Sequence, residues 1–366
     1  MSYNSDHEKY GSFFDDYSPE KQSQSRSSKS KKQKRRLKPW FKAFIGLIAI
    51  ILIIVIISTS ISRCSGGNEN IISQPTVSNQ LPSDSSAVNT DSKLQSKFPT
   101  TASYTKTLGN QIESQYAVLV DTSDNTILAQ RKANDVIYPA SMTKAVTLLI
   151  AAEHIKDITA TFKMTSEIID PLYKRDLVLA GFGPGEEVKI IDMCYGMILE
   201  SGAEAAVGLA VHTAGSEEAF VKLMNDKVKE LGLKNTQFTN TTGLHDKNHY
   251  STCTEMAILM NEVIKNDFCR QILSTEYYNV PANTFHEELK FHSGMFEKMY
   301  GTEPKVATIK GGKTGFTAQA LYCLASYAET DDGRIIICIT AKGDRKYSHI
   351  YDCIKLYKEY THPDKK

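Results

Sequence analysis

The sequence predicts an α/β (α+β) fold in which an antiparallel sheet is flanked by helices, with a single transmembrane helix ahead of the folded domain. Three observations lead to this prediction. Beyond Tyr104, strand-like segments lie at both ends of a continuously globular region, and several helix-like segments lie between them. One long apolar run precedes that region. Strands at the two ends of a region can pair in one sheet, which the intervening helices then cover.

Hydrophobic periodicity and turn residues predict the individual elements. Gly232 is expected to end a helix, and Asp331-Asp332-Gly333 is expected to form a hairpin turn. The expected elements, in chain order, are strands at 116–120 and 126–130, a helix that begins at Ser141, helices at 190–199, 204–212 and 216–231, strands at 321–327 and 334–340, and a helix-like segment at 347–360.

The N-terminal part of the chain is expected to carry a membrane anchor. No charged side chain occurs from Ala43 to Ile57, and the apolar run is about the length that a bilayer requires. Lysine and arginine crowd its N-terminal side, so the positive-inside rule places the N-terminus in the cytoplasm and the later domain outside the cell membrane. A cleavable signal peptide is the weaker alternative, because more than forty residues precede the apolar core. The expected segments are a disordered basic cytoplasmic tail at 1–38, a transmembrane helix in the lipid bilayer at 39–62, a flexible linker at 63–104 and a folded domain at 105–362.

Charge and cysteine content exclude several kinds of site. The formal net charge is +1, and the one basic cluster adjoins the apolar run, so no nucleic-acid partner is predicted. The seven cysteines show no C-x-x-C spacing, which argues against a disulfide framework and against a zinc knuckle. Buried free thiols are expected instead. The sequence predicts no metal site and no cofactor.

The first candidate catalytic motif is Ser141-Met142-Thr143-Lys144. A serine at a helix start and a lysine three residues later lie on one helical face, one turn apart. A desolvated lysine near other cations loses its proton readily and can activate the serine for acyl transfer. The same spacing occurs at 28–31 and 103–106, but only Ser141 is followed by a strongly apolar helix.

The second motif is Lys313-Thr314-Gly315, followed by Phe316. A lysine and a hydroxyl on one strand suit a substrate carboxylate, and glycine lets the backbone approach a ligand closely. The segment ends like a phosphate-binding loop, but that motif requires a glycine where this chain has Ala307.

The third segment surrounds Ser201-Gly202-Ala203, which joins two predicted helices. Together, the three segments resemble the D-alanyl-D-alanine carboxypeptidases, the low-molecular-weight penicillin-binding proteins, which carry S-x-x-K, S-x-N and K-T-G in this order. The resemblance covers about residues 105–360 and extends to Tyr138-Pro139-Ala140 and His249-Tyr250-Ser251-Thr252.

This resemblance implies a penicillin-binding transpeptidase-like domain that removes the terminal D-alanine from peptidoglycan stem peptides ending in D-Ala-D-Ala, and that β-lactams inhibit covalently. It implies that Ser141 is the acyl-ester nucleophile, Lys144 its general base and Ser201 part of a proton relay. Lys313 and Thr314 would hold the substrate carboxylate, on the strand that continues through Gly315. The backbone N–H groups of Ser141 and Phe316 would form the oxyanion hole.

The chain departs from this pattern at one site position. The family's S-x-N asparagine is Ala203 here, and alanine cannot hydrogen-bond a substrate amide. Ser123-Asp124-Asn125 reads S-D-N but precedes Ser141, in a predicted turn.

Three other functions compete with this interpretation. A class A-like β-lactamase shares two of the motifs but requires a carboxylate for deacylation, for which Glu204 is the nearest candidate, although it is expected to begin a helix. A catalytically weakened wall-peptide-binding protein would follow if Ala203 marks decay. A zinc carboxypeptidase would require a compact histidine pattern that the sequence lacks.

Overall fold

The computed structural model describes residues 98–299, 304 and 306–361. The predicted tail, the predicted transmembrane helix at 39–62 and most of the predicted linker lie outside these residues. Within the described ranges, no helix combines the length and the apolar character that crossing a bilayer requires.

The described chain alternates strands and helices around one long sheet. The strands are β1 Thr100–Thr107, β2 Tyr116–Asp121, β3 Thr126–Arg131, β4 Val136–Ile137, β5 Thr161–Lys163, β6 Glu187–Lys189, β7 Ser251–Thr252, β8 Tyr277–Val280, β9 Leu289–His292, β10 Ala307–Thr317, β11 Leu321–Thr330 and β12 Ile335–Gly343. The α-helices are α1 Thr143–His154, α2 Ser166–Tyr173, α3 Ile190–Leu199, α4 Ala203–Ala214, α5 Glu217–Glu230, α6 Cys253–Lys265, α7 Asp267–Leu273, α8 Phe296–Met299 and α9 Ser348–Tyr360.

The main sheet has six strands in the order β1-β3-β2-β12-β11-β10. Strand β12 pairs with β2, with Ile337 opposite Val120, so the two ends of the domain meet in one sheet as predicted. The sheet is mixed, which corrects the prediction of a purely antiparallel one, because β1 runs parallel to β3. Strands β2 and β3 form an antiparallel hairpin, and β1 pairs with β3 rather than with β2, the strand that follows it in the chain. Strand β1 runs opposite to β2 and therefore in the same direction as β3.

Strand β1 begins at Thr100, before the predicted domain boundary at residue 105. Its side chains are mostly exposed, and its sequence TTASYTKT has no apolar alternation. A strand of this kind carries little hydrophobic signal, which explains why the sequence assigned its first residues to the linker.

Two apolar layers cover the sheet, and the alternation of strand side chains separates them. On one face, Val118 and Val120 join the larger core formed with helices that include α1, α3, α4 and α6. On the other face, Leu119 packs with Leu356 and Tyr357 of α9. The larger core therefore lies between the sheet and the helices that hold the catalytic candidates.

The structure confirms most of the predicted elements, with ends that shift by a few residues. Gly215 ends α4 in a left-handed conformation, and the Ser216 hydroxyl caps α5 by accepting the backbone N–H of Ala219. The decoy motif at 123–125 lies in the turn between β2 and β3, as expected. The six cysteines in the described part of the chain are free and buried, which confirms that prediction for them.

Candidate active site

Ser141 and Lys144 meet at the start of α1. A single 3-10 turn, Ala140–Met142, leads into the helix, and the Nζ atom of Lys144 lies 3.1 Å from the Oγ atom of Ser141. Ala140 has a φ of 48°, in the left-handed region that a residue with a Cβ rarely adopts. The chain therefore makes a sharp elbow immediately before the candidate nucleophile, and the predicted pairing of hydroxyl and amine is present.

The amine of Lys144 is buried and has a second partner. It donates a hydrogen bond to the carbonyl oxygen of Thr242 at 2.8 Å, and the lysine is only 2% exposed. Burial lowers the pKa of Lys144 well below its usual range, and the positive charge of Lys313 lowers it further, while Glu204 opposes both effects. This environment favours the neutral amine, which is the form that can accept a proton.

Strand β10 lies directly against Ser141. A Cβ atom added to Gly315 would lie 3.0 Å from the backbone nitrogen of Ser141 and 3.1 Å from the carbonyl oxygen of Pro139. Only glycine gives this approach without displacing the nucleophile. The third residue of the K-T-G motif is thus explained by the contact between β10 and the 3-10 turn.

Lys313 lies on the same strand, and its charge acts on Lys144. Its Nζ atom donates to the carbonyl oxygen of Thr314 at 3.0 Å, and the side chain is 3% exposed. Burial lowers the pKa of Lys313 to about 7, and the carboxylate of Glu200 opposes this shift. The charge of Lys313 thus reaches Lys144, and both lysines lie on elements that pack at Ser141.

The outer part of β10 carries Thr314 and Phe316. Thr314 is half-buried, while the ring of Phe316 is exposed and lies 4.6 Å from the ring of Tyr322, centroid to centroid. In the described sheet β10 pairs only with β11, so it is an edge strand. Unpaired backbone groups along such an edge can bind an extended peptide by strand addition.

Ser201 lies at the junction of α3 and α4, half-buried and with a φ of 63°. Helix α1 packs on both α3 and α4, and the charges of Glu200 and Glu204, on either side of Ser201, act on Lys313 and Lys144. The preceding Glu200 accepts the backbone N–H of His292 at 2.8 Å, so the β8–β9 hairpin holds the junction in place.

Ala203 and Glu204 begin α4. The Ala203 side chain is buried and packs with Leu172 and Val207, so it belongs to an apolar cluster. Glu204 is also buried, and its Oε1 atom accepts the backbone N–H of Gly181 at 2.9 Å. Burial raises the pKa of Glu204, while hydrogen bonds from backbone N–H groups, with that of Gly181 the largest effect, oppose this shift. Glu204 lies in the first turn of α4, which confirms the prediction that a helix begins here.

Sequence reasoning missed the segment Asn240-Thr241-Thr242-Gly243-Leu244, which contacts both catalytic candidates. Thr242 supplies the carbonyl that holds Lys144, and a Cβ atom on Gly243 would overlap the carbonyl of Ala140. Polar residues followed by glycine are a turn signal. That signal is common, and it gives no indication that the turn would lie behind a serine about a hundred residues earlier in the chain.

The family model described as D-alanyl-D-alanine carboxypeptidase matches residues 100–342. The chain is 35% identical over 230 residues to D-alanyl-D-alanine carboxypeptidase DacF of Bacillus subtilis. This alignment covers 62% of this chain and 57% of the relative. The chain is also 29% identical over 246 residues to D-alanyl-D-alanine carboxypeptidase DacC of Escherichia coli, and that alignment covers 64% of this chain and 58% of the relative. The match thus spans less than two thirds of the length of these curated relatives.

Solved structures support the fold assignment. Penicillin-binding protein 5 of Haemophilus influenzae superposes with a TM-score of 0.61 at 28% identity, over 69% of this chain and 71% of that one. A Streptomyces DD-transpeptidase superposes with a TM-score of 0.61 at 22% identity, over 68% of this chain and 97% of that one. The described domain has the penicillin-binding transpeptidase-like fold, with a mixed sheet flanked by helices, and the chain belongs to the D-alanyl-D-alanine carboxypeptidase family.

Proposed function

We propose that this chain is a serine-type D-Ala-D-Ala carboxypeptidase that binds penicillins covalently at Ser141. The observation that carries the proposal is the contact of 3.1 Å between the Ser141 hydroxyl and the buried amine of Lys144, beside a second buried lysine. A hydroxyl becomes a nucleophile when a positioned base can take its proton. Burial, with a smaller effect from the charge of Lys313, lowers the pKa of Lys144 and so favours the neutral amine that can act as this base.

The geometry of the lysine amine suits proton transfer from Ser141. A neutral amine has two N–H bonds and one lone pair. One N–H is donated to the Thr242 carbonyl, so the lone pair is available to the Ser141 hydroxyl. As the Ser141 oxygen bonds to the carbonyl carbon of the penultimate D-alanine, its proton passes to Lys144. The backbone N–H groups of Ser141 and Phe316 would stabilise the oxyanion that forms.

Lys313 and Thr314 would bind the terminal carboxylate of the substrate. A buried ammonium that faces a carboxylate gains a charge-assisted hydrogen bond in a weakly polar site. The pKa of Lys313 is about 7 in the free protein, and a bound anion would raise it. The substrate itself therefore favours the charged form of this lysine.

Two further steps complete the reaction: the departure of D-alanine and the hydrolysis of the acyl-enzyme. The proton on Lys144 would pass through the Ser201 hydroxyl to the amine of the departing D-alanine as the peptide bond breaks. Water would then add to the ester carbonyl and give a proton to Lys144, and the Ser141 oxygen would leave and regain a proton. A β-lactam would follow the first half of this sequence, and its opened ring would remain attached to Ser141.

The test of this function combines D-alanine release with penicillin labelling. Purified protein should release D-alanine from a pentapeptide ending in D-Ala-D-Ala and should form a covalent adduct with fluorescent penicillin. Ser141→Ala should abolish both signals, while the decoy variant Ser123→Ala, in the turn between β2 and β3, should keep both. Labelling that persists in Ser141→Ala would remove Ser141 as the nucleophile.

We also propose that residues 39–62 anchor the protein in the cell membrane, with the basic N-terminus in the cytoplasm and the domain from about residue 105 outside. The apolar run and the lysine- and arginine-rich segment before it support this topology. Protease added to intact spheroplasts should digest the penicillin-labelled domain and leave an N-terminal epitope tag intact. Protection of the domain would contradict the topology.

A further inference from the structure

The turn at residues 240–244, which we call the lysine-facing turn, lies directly behind the two catalytic candidates. The carbonyl of Thr242 accepts the Lys144 amine at 2.8 Å, and the carbonyl of Thr241 accepts the hydroxyl of Thr147 at 2.8 Å. Gly243 packs against the peptide bond between Ala140 and Ser141. The turn therefore contacts the nucleophile's backbone and the base's amine at once.

The side chain of Asn240 holds this turn together. Its Oδ1 atom accepts the backbone N–H of Gly243 at 2.8 Å, of Leu244 at 3.1 Å and of Thr242 at 3.2 Å, and the hydroxyl of Thr242 at 3.1 Å. Its Nδ2 atom donates to the carbonyl of Leu244 at 2.9 Å. The Asn240 amide group, at the start of the turn, thus hydrogen-bonds to every residue from 242 to 244.

The position of one carbonyl decides which way the lysine lone pair points. The Lys144 amine rotates about a single bond, so a hydrogen-bond acceptor is needed to hold one N–H away from Ser141. The Thr242 carbonyl is that acceptor, and a turn at residues 240–244 without internal hydrogen bonds would not hold this carbonyl in one place. A displacement of about 1 Å in a catalytic group can cost about 100-fold in rate.

We propose that Asn240 is a positioning residue for acyl transfer: it fixes the Thr242 carbonyl, and that carbonyl orients the Lys144 amine toward Ser141. This inference rests on the proposed function, because it assigns a role in the step in which Lys144 accepts the serine proton. Asn240 itself touches neither the nucleophile nor the base through any hydrogen bond described above, so it acts through Thr242.

The chain offers a matched control in Asn225. Its Nδ2 atom donates to the carbonyls of Phe238 at 2.8 Å and of Val221 at 3.0 Å, and its Oδ1 atom accepts the backbone N–H of Phe238 at 3.0 Å. Asn225 therefore ties helix α5 to the chain just before the lysine-facing turn, with the same chemical group. A purely structural effect of losing an asparagine should appear equally in both alanine variants.

The experiment measures two constants with fluorescent penicillin: the rate constant of acylation and the affinity of the noncovalent complex that precedes it. Both are referred to the concentration of protein that can be labelled at saturation. Asn240→Ala should lower the acylation rate constant by about 10- to 100-fold and leave the affinity within about twofold. Asn225→Ala should leave both constants within about twofold while lowering Tm. Asn240→Asp keeps the accepting oxygen and should recover most of the rate. If Asn240→Ala does not fold, Asn240→Ser, whose shorter hydroxyl cannot span the turn, takes its place with the same expected loss.

Two results would overturn the inference. One is an Asn240→Ala protein that acylates within about twofold of the parent. The other is an equal loss of acylation rate in Asn225→Ala, since the effect would then be general destabilisation. A parent protein that penicillin does not label would instead defeat the proposed function. The crystal structure of Asn240→Ala answers the geometric question separately, because a Lys144 amine still bonded to the Thr242 carbonyl would contradict the role of Asn240.

Discussion

The Cα atom of Gly243 packs against the carbonyl of Ala140 so closely that a Cβ atom at position 243 would overlap it. The same Cβ atom would lie 2.9 Å from the backbone nitrogen of Ser141. The elbow that presents the nucleophile is therefore supported from behind by a glycine about a hundred residues later in the chain. This contact makes residue 243 part of the geometry of the site, although it has no side chain to contribute.

Gly243→Ala should abolish penicillin labelling. Gly243 has a φ of 80°, and Gly333 provides a matched control, because its φ is 81° and a Cβ atom there would meet nothing within 4 Å. Alanine in this conformation costs about 1–2 kcal/mol of folding free energy at either position. Gly333→Ala should therefore lower Tm by a few degrees and keep full labelling. Full labelling of Gly243→Ala would show that the elbow tolerates displacement.

The fold was largely predictable because its signals are local. The short apolar runs of β2, β11 and β12 and the helical spacing after Ser141 are properties of neighbouring residues, and the structure confirms each element. Strand β1 was missed because its threonine-rich sequence is exposed at a sheet edge and has no apolar period. Its parallel pairing with β3 was missed for the same reason, since only a recognised strand can be given a direction.

The site was predictable where its geometry comes from one element. A serine and a lysine one helical turn apart must lie close together, whatever else the fold does. The contacts of Gly315 with Ser141 and of Thr242 with Lys144 depend on packing between distant segments, and no local pattern encodes them. The neighbours of Ala203 belong to the same class, because its burial beside Leu172 depends on where α2 packs.

The turnover of carboxylate substrates should fall above neutral pH because of Lys313. Its pKa is about 7, so the free protein loses the ammonium charge as the pH rises through that value. The basic limb of kcat/KM reports groups of the free enzyme, so kcat/KM should fall about tenfold per pH unit above pH 7. Lys313→Arg, which stays charged, should shift this limb to higher pH. A basic limb that does not move in Lys313→Arg would assign it to another group.

The imidazole of His249 should make the fold sensitive to acid. Its Nδ1 atom accepts the backbone N–H of Thr239 at 3.1 Å, so its proton is on Nε2, which lies 2.8 Å from the Thr143 hydroxyl and donates to it. Burial lowers the pKa of His249 to about 4, with Asp246 opposing and His245 adding to the effect. The unfolded chain binds a proton at a higher pH than the folded one, so stability is present above about pH 6.5 and is lost as the pH falls toward 4.

The expected loss for His249 is on the order of 3 kcal/mol across that window. His249→Gln cannot titrate, and its unfolding free energy should depend less on pH between 6.5 and 4 than that of the parent. His349 also has a pKa lowered by burial to about 4, so the His249→Gln protein retains part of the pH dependence. Urea unfolding at a series of pH values measures the difference, and identical slopes for parent and His249→Gln would contradict the assignment.

Two substitutions at Ser201 separate its hydroxyl from its backbone. Ser201 has a φ of 63°, which glycine adopts without cost and alanine does not. Both Ser201→Gly and Ser201→Ala remove the hydroxyl of the proposed relay, so both should lower kcat for D-alanine release by about 100-fold, within the range for one proton-transfer group. Ser201→Gly should nevertheless be the more stable of the two by about 1 kcal/mol, because it relieves the left-handed strain. Equal activity of Ser201→Gly and the parent would show that the hydroxyl has no role in the mechanism. If only Ser201→Ala lost activity, the loss would be due to backbone strain at the α3–α4 junction.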